Sequence, residues 1–371
     1  MGYTVTRVST RKELNDFLNL PFKIYKNDRN WVAPVLSEVK RILNPEKNPY
    51  FRDASLTLFN CYSGSGIRAR ISVVINKIFC ERSGKNIAFF GFFESFNESD
   101  AVKYLFDEIF KYCIDNKIDK LEGPFNPNHY SELGMQCINL NSSPSFFQTY
   151  NPSYYNLLLK NVGFEIEKLL HTRKNENSSA FLTGKYGNNI NLTSTDLSVR
   201  SFNTKELEND LENLREIFND AFSENWHFLP VSKEEYLFSS KHMKYVTPPD
   251  LIQFVEYKGN PVAAVHFVHD INPALKKLNG KAGVIKYIKF IKGIKRINSA
   301  IIFAVGIKKA FRNSQVTKLL FNVTVNTARK FNSLETTWMY DDNKTIVSLA
   351  ERLGLKKDKE FAVYSKNLTA N

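Results

Sequence analysis

The sequence predicts an α/β protein of mixed sheets, built as two similar domains in tandem. Three observations carry this. The stretch from Asn298 to Asn343 reads as buried strand (Ala300 to Ile307), basic turn (Lys308 to Ser314), helix (Gln315 to Phe331) and second strand (Leu334 to Tyr340). The order of elements in the first half of the chain recurs in the second. Two helix ends, LLLKNVGF from Leu157 and LAERLGL from Leu349, align with one another, each stopped at a glycine in a C-cap position. The domains are expected at 1–173 and 196–371, joined by a polar linker over 174–195.

A chain of 371 residues can bury two full cores, and 30 Phe with 17 Tyr exclude global disorder. The N-terminus lacks a charged-then-apolar leader pattern, and no run of about 18 apolar residues offers a membrane span. Cys61, Cys80, Cys113 and Cys137 form no C-x-x-C, and no His pair completes a metal spacing. Reduced thiols, a cytoplasmic location and no metal are therefore expected. The net charge is +13, and Ile271 to Leu334 alone holds fourteen Lys or Arg and no Asp or Glu. Such a surface seeks phosphates, of a nucleotide-bearing ligand or of lipid headgroups. Nucleic acid is disfavoured, because no zinc-finger, RRM-like or KH-like pattern accompanies the charge.

In chain order, Tyr3 to Val8 is a short strand, and Lys12 to Tyr25 is a helix with Leu14, Phe17 and Leu18 on one side. Leu56 to Cys61 and Arg68 to Asn76 form a hairpin whose turn is supplied by Gly64 and Gly66. Ile87 to Phe93 is a buried strand, Asp100 to Asn116 an amphipathic helix, and Lys120 to Pro124 a strand entering a Pro/Asn loop. Tyr154 to Val162 is a helix, and Ile166 to Thr172 closes the first half. The second half repeats this plan. Leu197 to Phe202 is a strand, Lys205 to Phe222 a helix, and Trp226 to Tyr245 holds another. Leu251 to Tyr257 and Val262 to Val268 form a hairpin, then comes the opening stretch, a helix over Lys344 to Leu353 and a strand over Phe361 to Lys366.

The run from Asn298 to Asn343 resembles the core of the GNAT N-acyltransferases, in which an R/Q-x-x-G-x-G/A turn between strand and helix holds the pyrophosphate of acyl-CoA. The matching positions are Arg312, Gln315 and Thr317; the arginine fits and both small positions carry larger side chains. The resemblance extends end to end, to a bacterial family of tandem GNAT-like proteins, some related to lipid-amine N-acyltransferases. It rests on GFFE (Gly91 to Glu94), EGPFNPN (Glu122 to Asn128), YNPSYYNLLLKNVGF (Tyr150 to Phe164), ENWHFLPVSKEE (Glu224 to Glu235) and LETTWMYDDN (Leu334 to Asn343). It implies transfer of an acyl group from acyl-CoA or acyl carrier protein to a lipid-like or amino-acid amine. A catalytically inactive module presenting its basic face to anionic lipid or a protein is the alternative.

The resemblance also assigns roles. Backbone at Val305, Gly306 and Ile307 would meet the thioester, while Arg312, Ser314, Gln315, Val316 and Thr317 would flank the pyrophosphate. Tyr364 on the last strand would supply the acid for the leaving thiolate. Glu335 and Asp270 are the candidate bases. Asn126 and Asn128 would flank the acceptor groove, and Trp226 would line an acyl channel. Each has a structural alternative: a packed Tyr, a solvated strand end, a turn-forming Asp or Asn, a core Trp. Finally, Val284 to Ile297 (VIKYIKFIKGIKRI) places Lys286, Lys289, Lys292, Lys295 and Arg296 opposite an apolar face. That pattern suits a helix lying on an anionic membrane surface, or a surface helix packed on its own domain.

Overall fold

A computed structural model describes residues 2–64, 66–187, 196–240, 247–280, 284–294 and 296–368. The chain divides into two compact units, and neither is a contiguous half: the first is Met1–Leu170, Leu275–Gly283 and Lys359–Asn371, and the second is His171–Ala274 and Val284–Asp358.

The first unit opens with β1 (Thr4–Arg7) and α1 (Arg11–Ile24), which starts at a capping box between Thr10 and Glu13. The backbone N–H groups of Ser9 and Thr10 pull the Glu13 carboxyl down to about 2. Then come α2 (Leu36–Ile42), β2 (Ala54–Ser63), β3 (Gly66–Asn76), α3 (Lys77–Ser83), β4 (Ile87–Ser95), α4 (Ser99–Asp115) and β5 (Lys120–Gly123). Two short pairing segments, β6 (Phe125–Asn126) and β7 (Glu132–Leu133), precede β8 (Met135–Ile138), α5 (Tyr155–Asn161) and β9 (Glu165–Asn175). Inward residues of β3 and β4 pack under α4 and α5 with Leu105, Phe106, Ile109 and Leu158. On the other face Phe17 and Leu18 of α1 meet Leu56, Leu58 and Phe92. Each fully buried Leu or Phe of this kind stabilises the unit by about 1.5–3 kcal/mol.

The second unit holds α6 (Ser178–Tyr186), β10 (Leu197–Ser201), α7 (Leu207–Ala221), α8 (Lys233–Ser240), β11 (Ile252–Tyr257) and β12 (Asn260–His269). After a short helical turn at Asn272–Leu275 come α9 (Val284–Ile294), β13 (Ser299–Ile307), α10 (Gln315–Ala328), β14 (Ser333–Thr336) and α11 (Lys344–Arg352). The last strand is β15 (Lys356–Asn367). Ala263, Val265 and Phe267 of β12 face α10, while Ala264 faces Leu214, Ile217 and Phe218 of α7.

The strand plans match. The first unit runs β1-β2-β3-β4-β5, antiparallel except for the parallel β4–β5 pair, and the second runs β10-β11-β12-β13-β14 with a parallel β13–β14 pair. The sixth strand is exchanged. β15, the end of the second half of the sequence, pairs with β5 from Tyr364↔Gly123 to Asn367↔Lys120, in the first unit. The end of β9 pairs with β14 at Leu334↔Asn175 and Glu335↔Lys174, in the second. Two expectations are thereby corrected. Residues 174–187 are no linker: they finish β9 and form α6, whose Leu182 is buried in the second unit's core; 188–195 lie outside the described residues. And Tyr364 belongs to the first unit, because β5 and β8 both pair with its strand.

Candidate functional site

In the second unit β13 loses its partner part-way along. Its parallel pairing with β14 runs from Ser299↔Ser333 to Ile302↔Thr336 and stops. Thr337 then donates its N–H to the Ile302 carbonyl at 3.2 Å and its hydroxyl to the Phe303 carbonyl at 3.1 Å. On the other side, β12 pairs His266↔Ala304 and then Phe267↔Ile302, so Phe303 is an extra residue, a β-bulge. Beyond the bulge Lys308 donates its N–H to the Val262 carbonyl of β12. Strand alternation therefore turns the Gly306 N–H to β12 and the N–H groups of Val305 and Ile307 to the edge that β14 has left. Gly306 has a packing reason to be glycine: a Cβ there would lie 2.8 Å from the Phe218 ring and 3.2 Å from the Ala221 methyl. Its expected contact to a thioester is thus replaced by close approach of α7.

The first unit shows what a filled version looks like. Its β4–β5 pairing stops at Phe89↔Glu122, and its β3–β4 register slips beside Phe92, which sits at φ 47°. There, however, the Phe92 N–H donates to Asn126 Oδ1 at 2.7 Å. A Cβ on Gly91 would fall 1.8 Å from the Phe125 carbonyl oxygen. The chain's own β6 occupies that edge, and Glu98 before α4 is ion-paired to Arg68. Glycine inside the GFFE strand was the sequence signal for this close approach; nothing in the sequence marked Phe303 or Thr337.

The basic turn after β13 is held by α7. Lys308 reaches Glu216 at 3.3 Å, Lys309 reaches Glu224 at 3.2 Å, and Arg312 donates to the Ala221 carbonyl at 2.7 Å and to Glu224 at 3.3 Å. The Glu224 carboxyl is lowered by these two cations. Arg312 thus serves the C-terminal end of α7, where carbonyls favour a cation. The pairs are exposed and individually weak, so they yield readily to a competing anion. Ser314 caps α10, its hydroxyl accepting from the Val316 N–H at 3.1 Å. Gln315 and Thr317, the oversized residues of the turn, point to solvent, and Val316 is buried.

The remaining candidates separate. Glu335 is buried on β14 beside Lys174, accepts from the Thr172 hydroxyl at 3.2 Å, and shares the α7 side of the sheet with Ile301 and Val268. Asp270 accepts from the Asn272 N–H at 3.3 Å, a turn-forming role. Trp226 stacks on His227 at 3.9 Å and stands edge-on to Tyr340 at 6.4 Å, in the loop after α7. Asn128 accepts from Tyr130 N–H and the Ser131 hydroxyl, an Asx turn in the first unit. Tyr364 is fully buried there, donates to Asn156 Oδ1 at 2.8 Å and is pushed up to about 12 by burial. That is a packed strand tyrosine, and its hydroxyl already has its partner. Among the described residues no group of three or more His, Cys, Asp or Glu is placed to hold a metal ion, and no helix is long and apolar enough to cross a membrane.

Known proteins resemble the chain over its whole length. A bacterial ceramide synthase of Caulobacter vibrioides (strain NA1000 / CB15N) is 26% identical over 375 residues, covering 98% of this chain and 97% of that protein. Protein YghO of Escherichia coli (strain K12) is 22% identical over 366 residues, 96% and 94%. No family model matches the sequence. Among solved structures, a tandem GNAT protein from the clavulanic acid biosynthesis pathway superposes with a TM-score of 0.57 at 7% identity, over 100% of both chains. A GCN5-related N-acetyltransferase from Sphaerobacter thermophilus gives 0.52 at 10% identity, over 100% of this chain and 96% of that one. The repeated strand plan, the bulged and half-unpaired central strand and the end-to-end likeness lead to one conclusion: the chain has a tandem GNAT-like fold, that of the acyl-CoA N-acyltransferases.

Proposed function

We propose that this protein is an N-acyltransferase that moves an acyl group from a thioester, on CoA or a carrier protein, to the amine of a lipid-like acceptor. The observation that carries the reading is the edge of β13 at Val305 and Ile307, with which no described residue pairs, in a unit whose counterpart has the same edge filled. Backbone N–H groups held in a strand are preorganised donors for the thioester oxygen, which gains negative charge as the amine adds. The pantetheine arm would lie along that edge, with the phosphates toward the start of α10, its Lys318 and the basic turn before it. Glu335, buried one strand away, is the residue we assign to take the proton from the attacking amine. The ceramide synthase relative supports an amine with an apolar tail, since a ceramide is an N-acylated long-chain amine.

Incubating the protein with long-chain acyl-CoA or acyl carrier protein and a panel of amines, and following thiol release and amide mass, tests this directly. The expected result is amide from a long-chain amine. No amide from any pair, together with no donor binding by calorimetry, would leave the module that presents its basic face to a partner.

Membrane contact through α9 is part of the same proposal. Phe290 is buried and Ile288 is exposed, so the helix rests on its unit through part of its apolar face. A Cβ on Gly293 would come 3.2 Å from the Ala274 methyl, so α9 packs closely there. Its cations, at about 1 kcal/mol each near an anionic surface, would recruit the protein weakly and salt-sensitively. Changing Lys289, Lys292 and Lys295 to Glu should abolish co-sedimentation with anionic vesicles at low salt and leave the melting curve unchanged. Equal binding by the variant would remove α9 as the contact.

A further inference from the structure

His266 stands on β12 directly opposite Ala304, at the point where β13 bulges. Its neighbours Val265 and Phe267 face α10, so alternation puts His266 on the α7 side, with Ala264 and, across β13, Glu335. Its ring meets the Phe303 ring at 5.0 Å, edge-on. Nε2 lies 3.4 Å from the Thr247 hydroxyl. Nδ1 is buried and has no hydrogen-bond partner among the described residues, in a side chain only 2% exposed. Burial drives its proton affinity down to about 3, so the imidazole is neutral across the physiological range. A buried lone pair without a donor is costly.

We propose that Nδ1 of His266 is the hydrogen-bond acceptor for the substrate amine, on the assumption that the second unit is the acyl-transfer site. With Nε2–H given to Thr247, the Nδ1 lone pair receives one N–H of a neutral primary amine. The amine nitrogen then turns its own lone pair toward the thioester at the β13 edge. In the transfer the N–C bond forms and the C–S bond breaks, with the electron pair leaving on sulfur. The proton lost by nitrogen passes to Glu335 and on to the thiolate, giving amide and free thiol. His266 keeps no proton; it selects and aims the amine. A neutral acceptor walled by Phe303 favours an uncharged amine on an apolar chain over an ammonium.

Three variants test this with long-chain acyl-CoA and a long-chain amine. His266→Phe should lower kcat/KM for the amine by at least tenfold and leave the Kd for acyl-CoA, read by calorimetry, unchanged. His266→Gln, which keeps a neutral acceptor, should retain most of the activity. His266→Ala should be partly restored by added imidazole, which keeps the test open if the phenylalanine variant does not fold. A folded His266→Phe with wild-type amine kinetics, or an alanine variant that imidazole does not rescue, overturns the assignment while the acyltransferase reading stands. A wild-type protein that forms no amide overturns both.

Discussion

Proline at position 305 should cost acyl transfer about 100- to 1,000-fold, the loss that follows removal of one preorganised oxyanion donor. The substitution is aimed at a single atom. Val305 turns its N–H away from β12, so the β12–β13 ladder keeps its bonds and proline is placed as on an edge strand. The Val305 side chain is half-buried against the α10 side, and a ring of similar volume fills that place. Kinetics should show a fall in kcat with a smaller change in donor KM, because the oxygen gains its charge only as the amine adds. Thermal melting would check the fold. A folded Val305→Pro protein with normal kcat would mean that this edge does not hold the reacting carbonyl.

The second large effect is on stability, in the first unit. Arg70 is buried on β3, donates to the Phe17 carbonyl at 2.6 Å, stacks on the Phe17 ring at 4.5 Å and stands 3.8 Å from the Glu94 carboxylate. Tyr155 donates to the other Glu94 oxygen at 2.7 Å. Burial raises the Glu94 pKa and Arg70 opposes the rise. Arg70→Met leaves a buried carboxylate unpaired, and about 3–5 kcal/mol should be lost. The pH dependence has a definite sign. A carboxyl whose folded pKa lies above its unfolded value binds a proton on folding, so its contribution is largest below the unfolded pKa and is lost as pH rises through the folded one. The deficit of Arg70→Met should therefore widen between pH 5 and pH 8 in urea melts. Adding Glu94→Gln should recover much of it; an equal loss in the double variant would mean that Arg70 acts through packing alone.

Much of the fold was legible because periodicity and punctuation agree along this chain. Gly163 and Gly354 stop two equivalent helices at positive φ, 85° and 77°, and the Thr10 box starts α1. The strand exchange was not legible. Ile166 to Thr172 and Phe361 to Lys366 read as strands, but alternation in a strand says which face is buried and not which partner lies beside it. Assigning each to its own half followed from sequence order alone, and that error placed Tyr364 with the donor loop. The candidate site was legible as a region and not as a set of atoms. Val305 and Ile307 fell inside the run that sequence pointed to. The bulge at Phe303, which sets which N–H groups face outward, depends on pairing with β12. Arg312 matched a motif position, yet its partners, Ala221 and Glu224, lie at the end of α7 and just past it, about ninety residues earlier in the chain. The filling of the first unit's edge by Phe125 and Asn126 is likewise a tertiary event; the loop read as a Pro/Asn turn or as a flank of the acceptor groove.

Hydrogen exchange of the whole protein, with and without a non-hydrolysable long-chain acyl-CoA analogue, tests most directly whether the second unit is where the acyl thioester binds. The account predicts added protection in peptides spanning Ser299–Ile307 and the start of α10, and none in peptides spanning Ile87–Ser95 or the start of α4. Protection confined to Ile87–Ser95, or binding of the analogue with no added protection at Val305 and Ile307, would contradict it.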